Sequence, residues 1–127
     1  MTVAKIQASI QNADDITYNQ EFDNGNSGAG TVTIDWRKGN KQKLTLTGSC
    51  TIAFTAPAGV CHVQLRLIQG GAGSFTVTWP TEGVAAGNLA WIGKAAPTLT
   101  TAVGAIDIMS IFYNGSFYMA SYGLNFG

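Results

Sequence analysis

From Thr31 onward the apolar residues of this chain recur at every second position, and that period decides what it can fold into. Thr31-Val-Thr-Ile-Asp-Trp36 sets Val32, Ile34 and Trp36 on one side and Thr31, Thr33 and Asp35 on the other, the pattern of a strand with one buried face. Leu44 and Leu46 repeat it in Lys43–Thr47, Ile52 and Phe54 in Cys50–Phe54, and Val63, Leu65 and Leu67 in His62–Ile68. Phe75, Val77 and Trp79 then share a face before Pro80, which has no amide hydrogen to donate to a ladder. No stretch of this region keeps helical spacing.

Turn residues separate these runs. Arg37-Lys-Gly-Asn-Lys41 is expected to reverse the chain as a hairpin, with Lys43–Thr47 as the return strand, because Gly39-Asn40 can take positive φ. Gly48-Ser49, Pro57 with Gly59, and Gly70-Gly-Ala-Gly73 mark further breaks. Residues 81–102 are looser, anchored by Leu89 and Trp91. Asn114-Gly115 joins Ala105–Tyr113 to Ser116–Tyr122 and is the strongest hairpin signal in the chain. Roughly seven or eight short strands with frequent turns predict an all-β, β-sandwich or jelly-roll-like body over residues 30–127. Ala105–Tyr113 is apolar on both sides, with Ile106, Ile108 and Phe112 opposed to Met109, Ile111 and Tyr113. A strand covered on one side only should alternate more sharply, so a second surface, such as a neighbouring subunit, is expected over this hairpin.

Residues 1–29 read differently. Asp14, Asp15, Glu21 and Asp23 gather there without sustained apolar alternation, and Asn24-Gly-Asn-Ser-Gly-Ala-Gly30 follows as a run of turn-forming residues. The expectation is an extended N-terminal arm on a loose tether, either docking on a neighbour or a frayed terminus. Val3, Ile6 and Ile10 are spaced for a short helix within it.

Charge narrows the function classes. Only 11% of the 127 residues are Asp, Glu, Lys or Arg, and seven basic groups balance seven acidic ones, against about 25% charged residues in an ordinary soluble domain. A balanced chain is a poor general binder of polyanions, so nucleic acid is not an expected partner. So few charges fit a surface largely covered by other copies or by a partner, although Thr, Ser, Asn and Gln also supply polar cover. The N-terminus lacks the apolar core of a secretion signal, and nothing approaches the roughly 20 apolar residues of a membrane helix; the chain is expected to be soluble and made in the cytoplasm.

Candidate chemistry is sparse. His62 is the one histidine, and its neighbour Cys61 points to the opposite face of the same strand. Ser49 and Ser74 are turn residues, and neither stands in a nucleophile elbow. Cys50, Cys61 and His62 do not supply a zinc set, Asp14, Asp15 and Asp23 form no calcium loop, and Gly70–Gly73 is followed by neither the lysine nor the helix of a phosphate loop. Cys50 and Cys61 are expected to be reduced and partly buried. Catalytic, metal and cofactor sites are therefore not expected. Two groups remain as possible partner contacts. Arg37, Lys38, Lys41 and Lys43 concentrate positive charge near one turn, where a solvated hairpin tip is the alternative. Trp91 and Tyr118 belong to an aromatic-rich C-terminal half that could stack on sugar rings if exposed, or fill the core if not.

Ile34-Asp-Trp36, Gly39-Asn40, Gln42-Lys43, Leu44-Thr-Leu-Thr-Gly48, Gly73-Ser74, Thr76-Val-Thr-Trp-Pro80, Ala96-Pro-Thr-Leu99, Asp107 and Phe112-Tyr-Asn-Gly115 together resemble a β-rich module of tailed-bacteriophage virion proteins. Such modules occur in tail fibres and in small capsid decoration (cement) proteins. The likeness runs over roughly residues 30–122 and carries no catalytic motif. It implies a homotrimer. No shaft, repeat or coiled coil precedes the module here, so the expectation is a decoration protein on the capsid exterior that binds the major capsid protein or another virion protein. A tail-fibre or receptor-binding module holding host glycan is the alternative.

Overall fold

The computed structural model describes residues 20–127. Its first six strands are β1 (Phe22–Asn26), β2 (Thr31–Asp35), β3 (Lys41–Leu46), β4 (Cys50–Thr55), β5 (Cys61–Gln69) and β6 (Val77–Thr78). They alternate between two sheets, so the chain winds as a flattened coil. β1, β3 and β5 stack in parallel on one side, and β2, β4 and β6 stack in parallel on the other. Phe22 lies beside Gln42 and Thr31 beside Thr51, so both sides advance by the same length of chain in the first turn. β7 (Leu89–Trp91), β8 (Ile106–Tyr113) and β9 (Tyr118–Phe126) then widen the first sheet. The result is a six-stranded sheet ordered β1-β3-β5-β8-β9-β7 against a three-stranded sheet ordered β2-β4-β6.

The all-β class and the packed sheets agree with the alternation. Ile34 and Ile52 of the small sheet join one core with Leu44, Leu46, Val63, Leu65, Leu67, Met109 and Ile111 of the large one. Each such side chain contributes roughly 1.5–3 kcal/mol on full burial.

The pairing corrects two expectations. β2 and β3 do not form a hairpin: β2 pairs in parallel with β4, and β3 lies between β1 and β5. Between β2 and β3, Trp36–Lys38 make a 3-10 turn capped by the Asp35 carboxylate, which accepts from Arg37 N at 3.0 Å. Gly39 follows at φ 156°, ψ 152°, a conformation open essentially to glycine alone. This corner is wider than a two-residue turn and carries the chain across the core into the other sheet. The Asn114-Gly115 hairpin does form, with the Asn114 side-chain oxygen accepting from Ser116 N and Phe117 N at 2.9 Å.

The second correction concerns the boundary at residue 29. Phe22–Asn26 is a strand of the body, not part of a loose tether. Asn24 donates to Gln42 Oε1 and to the Lys43 carbonyl, both at 3.0 Å, and Glu21 pairs with Arg66 at 2.6 Å. Side-chain bonds therefore do here what apolar alternation does elsewhere. The arm over residues 1–19, including the helix expected near Val3–Ile10, lies outside the described residues.

Candidate interaction surface

Three buried polar side chains hold the corners that shape the surface. Gln42 sits fully buried at the start of β3. Its amide donates to the carbonyls of Asp35 (2.8 Å) and Gly39 (2.7 Å), closing the β2–β3 corner from inside. Gln69, at the end of β5, donates to the Phe75 carbonyl at 2.8 Å and accepts from Phe75 N at 3.2 Å. Asp107 accepts from Thr100 N, Thr100 Oγ1 and Asn125 N at 2.7–2.8 Å, tying the loop before β8 to the end of β9. All three are in phase with the apolar residues of their strands, and that phase was the available sign of an inward role.

The basic residues near the β2–β3 corner do not form an unpaired positive patch. Arg37 forms a bidentate pair with Asp35 at 2.9 Å, which holds the Asp35 carboxyl down to about 2. Lys43 faces Asp23 at 3.8 Å. The Lys38 ammonium lies 5.3 Å from the centre of the Phe22 ring. Lys41 is half-buried in β3 beside Gln64.

Trp91 and Tyr118 are core residues, at 6% and 2% exposure. Of the two readings the sequence left open, stacking on sugars or filling the core, the second holds for both. Trp91 packs edge-on to Trp79 at 5.0 Å and to Tyr122 at 6.0 Å. Tyr118 packs on Phe54 at 4.9 Å and Tyr113 at 4.7 Å, and burial pushes its hydroxyl up to about 12. Both alternate inward because β7 and β9 pair in parallel with Leu89 beside Tyr118 and Trp91 beside Ala120.

The residues mentioned as chemical candidates are dispersed. His62 points outward from β5, its ring 6.5 Å from that of Phe112. Cys50 and Cys61 are free thiols in different sheets, and burial pushes both thiols up. Among the described residues no three His, Cys, Asp or Glu side chains come together as a metal site. No described helix is long and apolar enough to cross a membrane.

What the fold does assemble is the outward face of the six-stranded sheet. Its β1–β3–β5 half carries the ion pairs Asp23–Lys43 and Glu21–Arg66. Its β8–β9–β7 half presents Ile106, Ile108, Ser110 and Phe112, then Met119, Ser121 and Gly123, then Ala90. None of these is charged. Phe112 and Met119 are neighbours across the β8–β9 ladder, each 38% exposed, and Ile92 beside them is 60% exposed. With His62, Ala90, Ser110 and Ser121 they line a shallow depression of about 410 Å³. The second apolar side of β8, noted in the sequence, is thus left open by the described residues. No protein-family model matches this chain, and neither a curated protein nor a solved structure matches it.

Proposed function

We propose that this chain is a non-catalytic structural protein of a tailed-bacteriophage particle, a homotrimeric decoration protein on the capsid exterior that stabilises the head. The observation that carries the reading is the open, uncharged outward half of the large sheet, a surface suited to burial in an assembly. The residues behind the resemblance support it in a second way. Asp35 and Trp36 build the first corner, Gln42 closes it from inside, and Asp107 holds the last loop. They maintain a framework, which is what a structural building block needs.

The test is to locate the protein on intact virions by immunogold labelling or cryo-electron microscopy. Label over the head supports decoration, and a chain lacking residues 1–19 should then keep its fold and lose capsid binding. That truncation leaves β1 in place, which removal of residues 1–29 would not. Label confined to the tail would move the proposal to a fibre role in glycan recognition, for which Trp91 and Tyr118, being buried, no longer speak. A protein absent from the particle overturns the reading.

A further inference from the structure

We infer that the outward face of β8, β9 and β7, with His62 at its border, is a self-association surface that packs against the same face of other copies of this chain. The inference rests on the assembly reading above and names the surface and its occupant.

Charge selects the occupant. The outward positions of these three strands hold no Asp, Glu, Lys or Arg, so a strongly charged partner finds nothing there to pair with. On the adjoining half of the same sheet, Lys43 is satisfied by Asp23 and Arg66 by Glu21. Two copies can therefore approach without a like-charge clash.

The banding of the face is self-complementary. Phe112 and Met119 form one apolar row, Ser110 and Ser121 pair directly in the next, and Ile108 beside Gly123 forms the third. The Phe126 ring folds back over Gly123, where an added Cβ would come within 2.7 Å of it, and so restores an apolar side chain to the third row. Apolar, serine, apolar is the same sequence read from either side. A copy turned about the serine row sets apolar on apolar and hydroxyl on hydroxyl, as an isologous contact requires.

Size sets the strength of the contact. β8 and β9, of eight and nine residues, and the three-residue β7, roughly 4.8 Å apart and advancing about 3.4 Å per residue, span on the order of 330 Å² in plan. Two copies pressed together there cover about twice that, the scale of a weak, reversible interface.

The test uses the full chain in light scattering coupled to size exclusion. Wild type at high chain concentration should run as an even-numbered oligomer: two copies through this face alone, or six if it joins two of the proposed trimers; three copies, which a two-fold contact cannot build, overturn the inference. Phe112→Lys combined with Met119→Lys should halve that mass with the circular dichroism unchanged. Ser121→Arg, which touches no core side chain, should do the same and decides the matter if the double variant fails to fold. Val84→Lys, at an exposed apolar position outside the bands, should leave the oligomer intact. A monomeric wild type, or an oligomer indifferent to Ser121→Arg, overturns the inference. A monomer that still labels virions overturns this face alone, whereas an oligomer absent from virions overturns the virion reading alone.

Discussion

Gln42 has no exposed surface, yet both ends of its side chain are occupied. Replacing it with leucine keeps the volume and strands the carbonyls of Asp35 and Gly39, and an unpaired buried polar group costs about 1–3 kcal/mol. Gln42→Leu should therefore lower stability by about 2 kcal/mol or more, read from the midpoint of urea unfolding. Tyr118 gives a pH-dependent counterpart. Its hydroxyl is raised from 10.0 to about 12 by burial, with the Tyr113 and Cys61 charges adding to the effect. The native state holds this proton more tightly than the unfolded chain does, so the contribution to stability is complete below pH 10 and is lost as pH rises toward 12. Tyr118→Phe should flatten the loss of stability across that window. An alkaline unfolding curve identical in the variant would refute this role. Alternation alone put Ile34, Leu44 and Leu65 inside, but not the ends of Gln42, Gln69 and Asp107. Their phase was legible; their partners belong to corners that only the folded chain brings near.

At the scale of elements, each corner of the coil rests on the corner of the turn before it. A Cβ added at buried Gly48 would lie 2.7 Å from the Gly28 carbonyl oxygen, a backbone atom that cannot swing aside. Gly48→Ala should push the first two turns apart and lower the melting temperature by several degrees, consistent with a cost of about 1–3 kcal/mol for overpacking. An unchanged melt would show that the corners are free to separate. Two similar turn signals met different fates here. Asn114-Gly115 became a hairpin because its flanking strands, β8 and β9, are adjacent in the sheet. Gly39-Asn40 became a corner because Gln42 and the Asp35 cap shape a wider turn, and β3 finds its parallel neighbours a full turn of chain away. Local residues specify where a chain bends; the partner across the bend is set by what lies within reach once the coil has closed.

At the scale of the molecule, the low charge count acquires a location. Two of the ion pairs, Asp23–Lys43 and Glu21–Arg66, sit on one half of the outward sheet face, while Phe112, Met119 and Ile92 stand exposed on the other. If copies bury this half against one another, association adds to folding stability by mass action. The melting temperature of the wild type should then rise with chain concentration, and that of Ser121→Arg should not. A concentration-independent wild type would count against the shared face as directly as a monomeric mass. The sequence by itself determined the β class, the strand phases, the inward aliphatic side chains such as Ile34, Leu44 and Leu65, and the last hairpin, because each follows from period two or from a turn within a few residues. Only the tertiary structure decided that the strands stack in parallel coils, that Phe22–Asn26 belongs to the body, that Trp91 and Tyr118 are buried, and that the described residues leave one face apolar and open. Those features depend on contacts between residues far apart in the chain, where neither alternation nor local turn chemistry can select one partner over another.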